Sequence, residues 1–349
     1  MNIVVNTIPL LSPLTGIGRY TYEISKRLDN ATFYYGYFSK KLILKESKLK
    51  KIIEKTGLKR VVRKLLKSPK FSKKFDLYWE PNFIPIDIEA KKIVTTVHDF
   101  SFLNENWHNK ERIKYFKNNF FKNIKKSDFI ITDSEYVKAE VIEYIGIKPD
   151  LVKSIYLGVD HDVFYNKNLK RENFILFVGS IEPRKNLINL LKAYDILPLN
   201  IKENFPLYLA GFNGWNNKEI MNLISKNQKF VKYFGYVSLE ELVNLYNKTS
   251  LFVYPSLYEG FGIPPLEAMA CGAAVLVSNV SSLPEIYGEH VFYCDPYDIE
   301  NISYNLEKLL EDEKTKNAKI QSGLNYVKNF NWDKSAEAHR EVFRNVYGR

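Results

Sequence analysis

The residues best suited to chemistry lie in Tyr254-Pro255-Ser256-Leu257-Tyr258-Glu259-Gly260-Phe261-Gly262-Ile263-Pro264-Pro265-Leu266-Glu267. Two carboxylates, Glu259 and Glu267, flank seven residues. One falls in a glycine-bearing loop, the other on the first turns of a helix that Pro265 suits. Both can face one site, where a carboxylate clamps paired hydroxyls of a sugar or ribose. A charged loop beside a helix-start glutamate is the plainer alternative, and the density of glycine and proline argues against it. A second candidate is Phe177–Asn186, a buried strand, a turn and two adjacent cations, Arg184 and Lys185. They open a helix, whose dipole already attracts an anion, so a diphosphate suits them. A solvated basic turn accounts for them equally well. His98 ends a strand run at Val97-His98-Asp99, where it can bond a sugar hydroxyl or move a proton, or be structural. In Thr15-Gly16-Ile17-Gly18-Arg19-Tyr20 the glycines let a ligand approach the backbone before a helix begins. This is neither the dinucleotide fingerprint nor a Walker A loop, and a tight strand-to-helix turn explains it too.

Short apolar runs alternate with amphipathic stretches, which predicts an α/β chain with parallel sheets and crossover helices. Strands are expected at Ile3–Asn6, Leu77–Trp79, Ile93–Val97, Phe129–Thr132, Phe174–Val178, Leu207–Ala210, Leu251–Tyr254 and Ala274–Val277. Helices are expected at Tyr20–Leu28, Lys110–Lys125, Glu135–Tyr144, Leu187–Leu197, Leu239–Lys248 and Leu266–Ala270. The polar stretch Asn166–Asn173 reads as a linker. The 349 residues thus divide into two doubly wound, Rossmann-like domains, 1–165 and 166–330, with a terminal helix at 331–349 packing back on the first. In such sheets ligands sit at the carboxyl ends of strands.

The net charge of +11 is concentrated. Lys40–Lys74 holds 15 basic and 2 acidic residues, which is more than the whole chain's excess. Leu58, Val61, Val62, Leu65 and Leu66 recur there at helical spacing among Lys59, Arg60, Arg63, Lys64 and Lys67. That is a basic amphipathic helix fit to lie on anionic lipid, or one packed by its apolar stripe with a solvated face. No apolar run approaches the roughly 20 residues of a membrane-spanning helix, and no secretion signal is evident. Cys271 and Cys294 lack paired spacing and read as reduced thiols. A cytoplasmic protein is therefore expected, peripheral on the inner face of the membrane where the lipid reading of this segment holds.

Taken together, these motifs resemble family 4 retaining glycosyltransferases of the GT-B fold. Tyr254–Gly272 is similar to the family's E-x7-E signature, and Phe177–Asn186 to its phosphate turn in the E-P-R-K-N variety. Gly16–Gly18, His98-Asp99, Thr132-Asp133-Ser134-Glu135, Leu157-Gly158-Val159-Asp160, Gly235-Tyr236-Val237 and Leu283-Pro284-Glu285 match in order along nearly the whole chain. The resemblance implies an active site in a cleft between the two domains, the first binding acceptor and the second the nucleotide sugar. It implies that Glu259 holds donor-sugar hydroxyls, helped by the amides of Phe261, Gly262 and Ile263. Glu267 would bind the ribose, and Arg184 and Lys185 the diphosphate. His98 would meet the sugar's outer hydroxyl, Gly16 and Gly18 would line the donor phosphate, and Tyr236 and Val237 would border the base. Two departures stand out: Ser180 where many relatives carry arginine, and Ser281-Ser282 where many carry a glycine pair.

The implied reaction moves a hexose, mannose from GDP-mannose by preference, to a hydroxyl of a lipid-linked or polysaccharide acceptor, with retention. No cofactor and no metal are expected. Asp160-His161-Asp162 mimics a metal-binding D-x-D motif but does not follow a nucleotide-binding strand. A sugar-nucleotide epimerase of the same shape is the enzyme alternative. A nucleic-acid-binding protein using Lys40–Lys74 is the other, although no nucleic-acid motif is present and no such partner is expected.

Overall fold

A computed structural model describes residues 1–11, 16–44, 75–108 and 110–348. The expected basic helix at 58–67 lies outside the described residues. Two compact units emerge. The first comprises Met1–Asp99, Lys114–Leu157 and Trp332–Arg349, and the second Phe100–Ile113 and Gly158–Asn331.

The first unit is built on β1 (Ile3–Asn6), β2 (Thr32–Tyr34), β3 (Phe38–Ser39), β4 (Phe75–Glu80), β5 (Ala90–Val97), β6 (Phe129–Thr132) and β7 (Val152–Ser154). They form one sheet in the order β3-β2-β1-β4-β5-β6-β7, parallel except for the edge hairpin β2–β3. The second unit carries β8 (Glu172–Val178), β9 (Leu207–Ala210), β10 (Val231–Tyr233), β11 (Thr249–Tyr254), β12 (Val275–Ser278) and β13 (Phe292–Cys294). These form an all-parallel sheet in the order β10-β9-β8-β11-β12-β13. Strands such as β1 and β12 are buried at every residue, because helices cover both faces of a parallel sheet.

Strand order reverses between β1 and β4 in one unit and between β8 and β11 in the other. At such switch points adjacent loops diverge and leave room for a ligand. Phe252 pairs with Leu176, so the last residues of β11 and β8, Tyr254 and Val178, finish level.

Among the described residues every expected strand and helix is present, with ends shifted by a few residues. The helix expected from Tyr20 starts at Gly16, so Gly16 and Gly18 occupy its first turn rather than a preceding loop. Burial of Tyr20 and Ile24 offsets glycine's helix penalty of about 1 kcal/mol. The break between units falls at Leu157/Gly158, ahead of the expected linker, because Val159 already bonds Phe330 and Phe164 is wholly buried. The segment Phe100–Ile113 also departs from the expected division, joining the second unit. The Phe100 amide donates to the Tyr258 hydroxyl at 2.9 Å, and Trp215 Nε1 to the Trp107 carbonyl at 3.0 Å.

The final helix, Trp332–Tyr347, packs in the first unit and completes its core. A directed hydrogen-bond chain joins them. Trp79 Nε1 donates to Thr96 Oγ1 at 3.0 Å, and Thr96 lies 2.9 Å from the Tyr20 hydroxyl. Tyr20 in turn lies 2.6 Å from His339 Nε2. His339 Nδ1 faces the Ser335 carbonyl at 2.7 Å and must donate to it, so Nε2 accepts from Tyr20. Burial pushes the His339 imidazole down to about 4, which keeps it neutral.

Candidate active site

In the second unit, the level ends of β8 and β11 place two loops side by side. The β8 loop turns through Pro183–Lys185, preceded by the extended residue Glu182. It is tied to the β11 loop by the Leu257 amide donating to the Arg184 carbonyl at 2.9 Å. A third loop, after β9, presses from the other side: a Cβ on Gly211 would come within 1.9 Å of the Gly179 carbonyl oxygen, so only glycine fits.

These loops bring Arg184, Lys185 and Glu259 together. Arg184 Nη1 donates to Glu259 Oε2 at 2.8 Å and to the Tyr258 carbonyl at 2.9 Å. Lys185 Nζ donates to Glu259 Oε1 at 2.5 Å and to the Tyr254 hydroxyl at 2.6 Å. Lys185 and Glu259 are buried. Burial alone would raise the Glu259 pKa, but the charges of Arg184 and Lys185 outweigh it and hold the carboxyl at about 2. Burial, with Arg184 beside it, lowers Lys185. Glu259 is therefore a firmly ionised carboxylate whose two oxygens are each held by a cation.

Its backbone is fixed as well. The Glu259 amide donates to Ser281 Oγ and Ser282 Oγ donates to the Glu259 carbonyl, both at 2.9 Å. This explains the serine pair. Ser281 sits at φ 55, left-handed territory that costs a non-glycine residue about 1 kcal/mol, and its hydroxyl accepts the amide in return. Two adjacent hydroxyls before Leu283-Pro284-Glu285 were a legible signal with no role attached to it.

Gly262, at φ 85, caps the helix Ile263–Ala270. A Cβ there would lie 2.9 Å from Leu283 Cδ2, and the Tyr287 hydroxyl donates to its carbonyl. Pro264 and Pro265 carry no N–H, so of the first four amides only those of Ile263 and Leu266 exist. Phe261 is buried against Phe330. Glu267 lies in the same helix, buried, and accepts from Tyr246 at 3.1 Å. Burial raises the Tyr287 pKa, and both Glu259 and Glu267 raise it further, so the two carboxylates share one neighbourhood. Tyr236 is 71% exposed, with half-buried Val237 beside it, on the loop after β10.

In the first unit, His98 follows β5 and is buried. Its Nδ1 lies 2.7 Å from Asp133 Oδ2 and its Nε2 2.8 Å from the Pro81 carbonyl. Burial disfavours the charged ring, but the Asp133 charge and both hydrogen bonds outweigh it and raise the pKa. Both ring nitrogens thus serve the protein itself. Sequence reasoning missed Glu80, at the end of β4 beside Asn6 at the end of β1. Its Oε2 accepts from Asn6 at 2.8 Å and from the Tyr78 hydroxyl, and its Oε1 from the Asn82 amide at 2.9 Å. Burial pushes it up to about 8. A lone glutamate before Pro81, at a strand end, was the only signal. Within the second unit, His161 Nε2 bonds the Phe330 carbonyl and Asp160 accepts from the Asp162 amide. Cys271 and Cys294 are free, buried thiols.

Comparison with known proteins identifies the family and the fold. The family profile described as "Glycosyltransferase Family 4" matches residues 14–163, and that of "Glycosyl transferases group 1" matches residues 160–325. The chain is 32% identical to "O-antigen chain mannosyltransferase B" of Escherichia coli, over 95% of this chain and 97% of that one. It is 34% identical to "Serotype-specific mannosyltransferase WbdA" of the same species over 74% of its length, spanning 34% of that longer protein. Its fold is similar to Anabaena HepE, solved with UDP-glucose, at TM-score 0.71 and 15% identity, covering 99% and 100% of the two chains.

Proposed function

Since this chain belongs to glycosyltransferase family 4, with the GT-B fold, and is a hexosyltransferase, we propose that it transfers mannose from GDP-mannose to a glycan hydroxyl with retention. The observation that carries this reading is Glu259 held between Arg184 and Lys185 at the second unit's switch point. There the two cations take the donor's diphosphate, and sharing them with it frees Glu259 oxygens to accept from sugar hydroxyls. Glu267 binds the ribose, while Tyr236 and Val237 border the guanine. The bond from the anomeric carbon to the phosphate oxygen breaks, and the bond to the acceptor oxygen forms on the same face. The acceptor's proton passes to the departing phosphate, so no protein nucleophile is required. Mannose as the sugar, and a growing O-antigen-type polysaccharide as acceptor, are supported by the name of the relative that aligns over nearly the full chain.

A thermal-shift panel of sugar nucleotides, followed by product analysis, tests the donor. GDP-mannose is expected to stabilise the protein by about 2.7 kcal/mol at 100 times its Kd. Mannose is expected in an acceptor-linked product, with most activity surviving excess EDTA. Conversion of donor alone to an epimer, or activity abolished by EDTA and restored by Mn²⁺, would overturn the corresponding part.

We further infer that Lys40–Lys74 adsorbs the protein on an anionic membrane, where lipid-linked acceptors reside. Each basic residue near such a surface contributes about 1 kcal/mol, screened over a Debye length of about 8 Å at physiological salt. Co-sedimentation with anionic vesicles is expected to fall as salt rises. It is expected to vanish when Lys59, Arg60, Arg63, Lys64 and Lys67 become Gln, with donor binding intact. Undiminished sedimentation of that variant removes the membrane reading.

A further inference from the structure

Arg184 is gripped along both edges of its guanidinium plane. Nη1 meets Glu259 and the Tyr258 carbonyl. The opposite edge meets Glu182 Oε1, at 3.1 Å from Nη2 and 3.3 Å from Nε. Glu182 is 1% exposed, so its charge is screened by protein alone. Of these four described residues two are cations, Arg184 and Lys185, and two are carboxylates, Glu182 and Glu259, so their formal charges cancel. The carboxylate of Glu259 has hydroxyls to bind in the donor reading. That of Glu182, on the far edge of Arg184, has none.

We propose that Glu182 is a positioning residue for the transfer, one that fixes the Arg184 fork and weakens the site's hold on the diphosphate. The inference rests on the donor reading above. A planar guanidinium held at one edge by a buried carboxylate presents a fixed charge to the leaving group, which is what stabilises a developing anion without reorganisation. The same carboxylate repels the incoming diphosphate. Binding energy spent equally on ground state and transition state does not raise kcat, and a neutral cluster releases the nucleoside diphosphate after each turnover where a cationic one retains it. Without Glu182 the cluster carries a net positive charge, so ground-state affinity rises while turnover falls.

The test measures GDP, UDP and pyrophosphate binding by calorimetry, together with kcat and KM for GDP-mannose, in the parent, Glu182→Gln and Glu182→Asp. Circular dichroism and the melting midpoint establish that each variant is folded. Glu182→Gln is expected to bind GDP about tenfold more tightly, the scale of removing one like charge roughly 12 Å away at an effective dielectric constant of about 20. Its kcat is expected to fall about tenfold, with KM falling alongside, the pattern of lost ground-state destabilisation. Glu182→Asp keeps the charge but withdraws it by one methylene, so its GDP affinity is expected to stay near the parent's while kcat falls. A role in folding alone moves affinity and turnover down together. Folded Glu182→Gln that binds GDP no more tightly than the parent, or turns over at the parent's rate, overturns the proposal. If the parent binds none of the three probes, the donor reading itself fails and takes this inference with it.

Discussion

Lys185→Ala and Lys185→Met are each expected to lower kcat roughly 10²–10³-fold, the loss that follows removal of one preorganised charge stabiliser. The Lys185 ammonium is buried between the Tyr254 hydroxyl and Glu259, so its position is set before any substrate arrives. Met keeps the length of the side chain and removes the ammonium with its charge and its hydrogen bonds to Tyr254 and Glu259, so kinetics of the folded variant separate chemistry from folding. Arg184→Ala is expected to fall in the same range, and the double variant to lose less than the product of the two, since in the proposed reading both cations act on one diphosphate. Steady-state kinetics with the preferred sugar nucleotide give the answer. Parent-like turnover in folded Lys185→Met would withdraw the diphosphate role from this residue.

Stability is expected to fall by on the order of 3 kcal/mol as pH drops from about 6.5 to about 4, from His339 alone. In the unfolded chain this imidazole gains a proton near its ordinary value of about 6.5. In the folded protein burial holds it neutral until about pH 4. Between those limits the unfolded state binds more protons, so stability is present above pH 6.5 and lost as pH falls. Neutrality is built into the geometry, because Nε2 must accept from Tyr20 while Nδ1 serves the Ser335 carbonyl. His339→Gln, which has both a donor and an acceptor, is expected to flatten the acid limb of a denaturation-midpoint profile. An unchanged slope between pH 6.5 and 4 in that variant would refute the assignment. Glu80 works in the opposite sense. Its carboxyl is raised to about 8, so its contribution is present below its ordinary value of about 4.3 and lost as pH rises through 8.

What the sequence disclosed follows the strength of local signals. The long buried strands were legible because Ile3–Asn6 or Phe129–Thr132 offers an unbroken apolar run. Three-residue strands such as Val152–Ser154, Val231–Tyr233 and Phe292–Cys294 were not, since so short a run carries no period to read. In the second unit, Arg184, Lys185 and Glu259 were legible as charges in turns, yet their pairing was not. It depends on β8 and β11 ending level, a matter of register between segments some 75 residues apart. Ser281 and Ser282 were noticed only as a departure, because their worth lies in the Glu259 backbone they hold. The transfer of Phe100–Ile113 to the second unit was invisible for the same reason: Trp107, Trp215 and Tyr258 look like unrelated aromatics until the chain is folded.

The helix Trp332–Tyr347 has a consequence for how the protein is made. It belongs to the first unit, yet it leaves the ribosome after the whole second unit has been synthesised. Until then Trp79 and Tyr20 lack the His339 and Phe343 side chains that pack against them. Translation at about 5–20 residues per second puts a delay of roughly nine to thirty-five seconds between Leu157 and Trp332. The second unit is nearly contiguous and can close during that interval, so the usual N-terminal-first order of assembly is reversed. A nascent chain stalled short of the last helix therefore presents a sticky, half-finished sheet, a natural client for a chaperone.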